Sequence, residues 1–161
     1  MDNPLLLIAW HSRTGTAKAL AHAAALGAGE QALLLRAEEV EPEHLLAAQG
    51  FLFACPENLA TMSGAMKEMF DRCYYPVLGQ VEGRPYATII AAGSDGEGAQ
   101  RQIDRIATGW RLRRVAEPSI VNMAAQTPEE ILAPKVPNAE ALENARLLGA
   151  SLMEGIQLGI F

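Results

Sequence analysis

Residues 12–17, Ser12-Arg13-Thr14-Gly15-Thr16-Ala17, put three hydroxyls, a guanidinium and a glycine into one short stretch. The apolar run Leu5-Leu6-Leu7-Ile8-Ala9-Trp10 and His11 come before it, and an alanine-rich amphipathic stretch follows. With a strand before and a helix after, these residues sit at a helix N-terminus. Backbone N–H groups there lack intrahelical partners, and the aligned peptide dipoles add partial positive charge. A phosphate suits that position. Ser12, Thr14 and Thr16 would supply hydroxyl donors, and Gly15 would let the backbone approach closely. The same residues also make an ordinary βα turn, because Ser and Thr cap helices well. Taken alone, the stretch supports both readings.

The elements that would hold this stretch follow from periodicity. Apolar runs at 4–10, 31–36, 50–55, 85–92 and 118–122 alternate with amphipathic segments at 15–26, 42–49, 63–74, 97–110 and 138–156. The runs are continuous rather than alternating, as in a parallel sheet covered on both faces. Five β/α units in strict alternation predict a doubly wound, three-layer α/β domain. Residues 127–138 read as a long loop. Ligands of such sheets bind beyond the carboxyl ends of the strands. There 12–17 would meet two more loops, Pro56-Glu57-Asn58-Leu59-Ala60-Thr61-Met62 and the glycine-dense Gly93-Ser94-Asp95-Gly96-Glu97-Gly98.

Composition narrows the function classes. The 161 residues suffice for one domain spanning 1–161, with its own core. A net charge of −6 argues against nucleic acid as a partner, though not against a phosphate held by N–H groups and hydroxyls. Cys55 and Cys73 are too few for a disulfide framework and read as buried, inert thiols. Met1-Asp2-Asn3-Pro4 lacks the basic start of a signal peptide, and no apolar run is long enough for a bilayer. The expectation is a cytoplasmic protein without membrane attachment. His22 and His44 lie far from any partner, and no metal-binding cluster is visible. His11 reads as a hydrogen-bonded structural residue, and Met62, Met66 and Met69 as core. Trp110-Arg111-Leu112-Arg113-Arg114 reads as a solvated basic helix end, or else as an attractor of cofactor phosphates. Tyr74 or Tyr75 could pack at a helix end, line a pocket or meet another subunit.

Several phosphate chemistries fail on the residues themselves. There is no Walker string. Thr61 and Gly79 stand where a cysteine phosphatase would carry Arg after Cys55 or Cys73. Ala9-Trp10-His11 replaces the acidic end of a receiver's first strand, and one glycine in the first turn is too few for a dinucleotide fingerprint.

Ser12-Arg13-Thr14-Gly15-Thr16 resembles the FMN-phosphate loop of flavodoxin-like proteins. Gly50 to Pro56, then Met62-Ser63-Gly64-Ala65-Met66-Lys67 and Phe70-Asp71, resemble the second flavin loop and following helix of FMN-dependent NAD(P)H oxidoreductases. These include the NADPH-dependent FMN reductases and the quinone oxidoreductases first named tryptophan-repressor-binding proteins. Gly83-Arg84-Pro85 and Gly93-Ser94 match the approach to the third loop. The resemblance covers residues 4 to 122. It implies a flavodoxin-like five-stranded parallel sheet in the order 2-1-3-4-5, FMN as cofactor and NAD(P)H as co-substrate. It also implies a quinone, flavin or other small electron acceptor, and homodimers or homotetramers that cover the flavin.

By that resemblance, Ser12, Arg13, Thr14, Gly15, Thr16 and Ala17 wrap the phosphate. Pro56, Glu57, Asn58, Leu59, Thr61 and Met62 run along one edge of the ring, and Gly93, Ser94, Asp95, Gly96 and Gly98 close the other. Asn58 and Ser94 are the side chains that would tune the ring, and no protein nucleophile or catalytic side chain is required. The sequence departs from the family at Ala17, where a hydroxyl is usual, and at Glu57 to Thr61, where the usual aromatic is missing and a carboxylate has arrived. Two further readings follow from these departures: a one-electron flavodoxin carrier, and a flavodoxin-like domain that has lost FMN for another ligand or a protein partner.

Overall fold

The structure is a computed structural model that describes residues 5–161. The N-terminal residues behind the signal-peptide expectation, and Pro4 of the first apolar run, lie outside the described residues. β1 (Leu6–Trp10) leads through the first loop into α1 (Thr16–Ala28), and β2 (Ala32–Arg36) into a short 3-10 turn and α2 (Pro42–Ala47). β3 (Gly50–Asn58) folds back as the two-residue β4 (Thr61–Met62) before α3 (Gly64–Val77). Then come β5 (Pro85–Ala92), α4 (Glu97–Gly109), β6 (Arg113–Arg114), β7 (Ser119–Asn122), α5 (Pro128–Leu132) and α6 (Ala139–Leu158).

The sheet runs β2-β1-β3-β5, with β6 and β7 following one another along the far edge of β5. The expected order 2-1-3-4-5 is therefore present, but in seven strands rather than five. One addition is β4, a hairpin return on β3. The other is β6, which pairs with Pro85 and Tyr86 before the chain breaks and resumes pairing at Ser119. Pro118, which has no N–H to give a ladder, stands just before the resumption.

Successive residues of the central strands feed opposite faces, as a period of two demands. Leu7, Ala9, Phe51 and Phe53 join Met66, Met69, Phe70, Ile103 and Trp110 on one side. Leu6, Ile8, Leu52 and Ala54 join Leu20, Ala24, Leu152 and Met153 on the other. The continuous apolar runs thus mark strands buried on both faces, and Met62, Met66 and Met69 are core as expected.

Three sequence expectations need correction. The run 110–114 is a solvated basic helix end at Arg111, Arg113 and Arg114, which are exposed, but not at Trp110, which is fully buried, stacks on Tyr74 at 5.8 Å and donates its indole N–H to the Tyr74 carbonyl. Arg114 of the same run is paired with Asp104 at 3.2 Å. Residues 127–138 are not loop throughout, because α5 starts on a capping box. Thr127 Oγ1 accepts from the Glu130 N–H, and Glu130 Oε2 accepts from the Thr127 N–H. Neither His22 nor His44 is far from partners: His22 Nδ1 lies 2.8 Å from the Lys18 carbonyl oxygen, and His44 Nδ1 accepts from the Glu41 N–H at 2.9 Å.

Candidate functional site

The first loop takes its shape from Ser12, whose Oγ accepts the Gly15 N–H at 3.1 Å. Gly15 then adopts φ 113° and starts α1 with no side-chain cap. The first intrahelical bond runs from the Ala19 N–H to the Gly15 carbonyl, which leaves the N–H groups of Thr16, Ala17 and Lys18 without intrahelical partners. Thr16 is buried, and its Oγ1 has no hydrogen-bond partner among the described residues. Of the two readings of this stretch, the capped turn is absent, since no hydroxyl caps the helix. A buried orphan acceptor–donor beside open N–H groups has the chemistry an anion would satisfy. His11 is held by Ser63, with Nδ1 and Oγ 2.9 Å apart, the structural role expected of it.

The second and third loops are tied together by Glu57. Its Oε1 accepts from the Gly96 N–H at 2.8 Å and its Oε2 from the Ala99 N–H at 3.1 Å. The carboxylate that departs from the family pattern is thus the N-terminal cap of α4, where the helix dipole also favours it. The hairpin from β3 to β4 turns at Leu59 (φ 52°) and Ala60 (φ 64°), and the Ala60 carbonyl lies 2.1 Å from where a Cβ on Gly98 would stand. Cys55, just before this loop, is fully buried, and burial pushes its thiol up to about 12. It is no nucleophile at neutral pH.

A fourth segment completes the site. After β7 the chain crosses between the third loop and the first and is pinned at both. The Ala125 N–H donates to the Gly93 carbonyl at 3.0 Å, and the Lys135 N–H donates to the Thr14 carbonyl at 2.8 Å. Two glycines make room for it: Cβ atoms there would lie 2.6 Å from the Ala125 carbonyl at Gly93 and 2.9 Å from the Lys135 carbonyl at Gly15. Beneath this strap lies an open cleft with about 460 Å³ of space between its walls, part of it continuous with solvent.

Of the residues singled out in the sequence, Ser12, Arg13, Thr14, Thr16, Ala17, Pro56, Glu57, Asn58 and Gly93 line this cleft. Gly15 lies beside it, under the strap. Leu59 is 98% exposed at the hairpin tip, Thr61 is exposed, and Met62 is buried. Ser94, Asp95, Gly96 and Gly98 shape the third loop without lining the cleft. The Ser94 carbonyl accepts from Asn122 Nδ2, and Asp95 Oδ1 accepts from the Glu97 N–H. Ala91, Ala92, Met123, Ala125, Ile131 and Lys135 were not foreseen. The capping box at Thr127 was the one sequence signal that this segment has structure. No lining residue is aromatic. Among the described residues there is no group of three or more His, Cys, Asp or Glu placed to hold a metal, and no helix long and apolar enough to cross a membrane.

Comparison with known proteins agrees with this architecture. The family described as NADPH-dependent FMN reductase matches residues 39–128. No curated protein matches the sequence. The fold is similar to that of a flavodoxin from the domain Archaea, at 16% identity and TM-score 0.77, covering 94% of this chain and 98% of that one. A flavodoxin, WrbA-like protein from Agrobacterium tumefaciens superposes with TM-score 0.72 at 17% identity, covering 97% and 99%. The flavodiiron protein from Giardia intestinalis gives TM-score 0.77 at 19% identity, with 97% of this chain matched to 37% of that longer one. These likenesses establish a flavodoxin-like fold.

Proposed function

The chain belongs to the NADPH-dependent FMN reductase family of flavoprotein oxidoreductases, and from that premise we propose that it binds FMN in the strapped cleft and oxidises NAD(P)H at the expense of a small acceptor. The observation that carries this reading is the buried, partnerless Thr16 hydroxyl beside the uncapped start of α1. Its donor set fits a phosphate monoester. Ser12, Thr14 and Thr16, with the open N–H groups at the start of α1, line the cleft together with Lys135. Lys135 Nζ donates to the Ile131 and Ala133 carbonyls and has a third proton to give.

Pro56, Asn58 and Gly93 also line the cleft, where a flat ring would lie. Asn58 offers an amide there, while Glu57 turns its charge into two N–H groups of the third loop rather than toward a ligand. When bound, FMN would accept a hydride from the nicotinamide and pass two electrons to a quinone, a free flavin or another small acceptor. The strap and the three loops hold the cofactor and keep water from its phosphate end. The lack of aromatic lining supports a reductase over a one-electron carrier.

The test is direct. Protein mixed with FMN and passed through gel filtration is expected to keep flavin absorption and to oxidise NADPH when a quinone or free flavin is supplied. Protein that stays colourless in excess FMN would overturn the cofactor. Protein that holds FMN yet leaves NAD(P)H intact with every acceptor would overturn the enzymatic reading.

A further inference from the structure

A second groove opens on the β2 side of the first loop. The end of β1, the start of α1 and the end of β2 border it, with about 640 Å³ of space that is open to solvent. Ser12 and Arg13 line both this groove and the cleft, so the two are neighbours across one loop. The lining inverts the charge of the chain. His11, Arg13, Lys18 and Arg36 surround a single carboxylate, Glu38, in a protein of net charge −6. Among the described residues Arg13 and Lys18 form no ion pair. Arg36 makes only an exposed contact with Glu39, at 3.4 Å. A concave surface lined by one sign of charge concentrates the opposite sign. With Arg13 and Lys18 unpaired among the described residues and only Glu38 and Glu39 near Arg36, the groove keeps excess positive charge that suits a bound polyanion.

We propose that this groove takes the adenosine end of NADPH, and that Arg36 and Lys18 read its 2′-phosphate. The assignment rests on the flavin reading above, since the nicotinamide must reach the neighbouring cleft past Arg13. A phosphate monoester carries close to two negative charges at neutral pH. Guanidinium groups bind it through paired, charge-assisted hydrogen bonds. NADH, lacking that phosphate, leaves the cations unmatched. In the chain's other basic run Arg114 is paired with Asp104, and none of Arg111, Arg113 and Arg114 lines the cleft or this groove.

The experiment titrates 2′,5′-ADP and 5′-AMP calorimetrically into the protein, with and without FMN, and measures FMN affinity in the same samples. Wild type is expected to prefer 2′,5′-ADP by about tenfold or more. Arg36→Ala and Lys18→Ala should each remove most of that preference, and Arg36→Glu should abolish it. In the FMN-loaded protein, the same Arg36 variants should raise the KM for NADPH toward that for NADH. Equal binding of the two nucleotides by wild type overturns the proposal, as does a preference that survives in both alanine variants. Parallel loss of FMN and 2′,5′-ADP affinity in Arg36→Ala also overturns it, because the groove would then serve only the FMN phosphate. Failure to take up FMN would be read separately, by the FMN titration, and would end the flavin reading.

Discussion

Thr16 separates binding from folding at a single side chain. Its hydroxyl is buried without a partner, so replacing it by the isosteric valine removes a desolvated polar group. Thr16→Val should therefore leave the free protein as stable, or more stable by up to about 1 kcal/mol, while weakening FMN by about tenfold. Urea unfolding and flavin titration on one preparation check both. An unchanged FMN affinity would take Thr16 out of the phosphate site. Lys135 makes the complementary case. Lys135→Met should weaken FMN by about 1 kcal/mol or more and leave riboflavin binding unchanged, since riboflavin has no phosphate. Equal losses for both ligands would mean the strap had moved rather than a charge been lost. The two residues differ in legibility. Thr16 stands in a local pattern of hydroxyls after an apolar run, whereas Lys135 reaches the site only because its own N–H binds the Thr14 carbonyl.

The β3–β4 hairpin stores strain at the element scale. Leu59 and Ala60 both hold positive φ, a two-residue turn that ordinarily takes Asn-Gly. Left-handed backbone costs a residue with a Cβ about 1–2 kcal/mol, and glycine gives back roughly half of that in entropy. Ala60→Gly should therefore raise unfolding free energy by about 0.5–1 kcal/mol, seen as a higher urea midpoint with an unchanged slope. A lower midpoint would mean that the Ala60 side chain packs in a way its exposure does not suggest. The turn is held in place from outside, because Glu57 caps α4 and the Ala60 carbonyl sits against Gly98. In the sequence the apolar run that marks the third strand ends at Cys55. The strand in fact continues to Asn58, because the hairpin return of β4 supplies its pairing. At α5 the signal was local and present, in Thr127-Pro128-Glu129-Glu130, but proline-rich surroundings hid it.

For the whole molecule, the buried thiols set an alkaline limit on stability. Burial raises Cys55 from 9.0 to about 12, and raises Cys73 to about 11. Below about pH 9 both folded and unfolded chains keep the Cys55 proton, and its contribution to stability is fully present. Above that the unfolded chain releases it first, so unfolding free energy should fall by about 1.4 kcal/mol per pH unit for this one group until about pH 12. Burial and the hydrogen bond to Asp104 also raise the Tyr86 hydroxyl, which steepens the decline at higher pH. Denaturant melts from pH 8 to 11 check this. Cys55→Ala should flatten the slope whatever it costs at neutral pH, and an unaltered slope would assign the decline to other groups. What the sequence by itself determined is the layered sheet, the two cores and the anion-binding character of the first loop, because each rests on apolar periodicity or on side chains within one helical turn. Only the tertiary structure decided that Glu57 caps α4 instead of facing a ligand, that the strap is clasped at Gly15 and Gly93, and that Arg36 and Arg13 line one groove. Those outcomes depend on which distant segments the fold brings within hydrogen-bond reach, and no local pattern of residue types carries that distance.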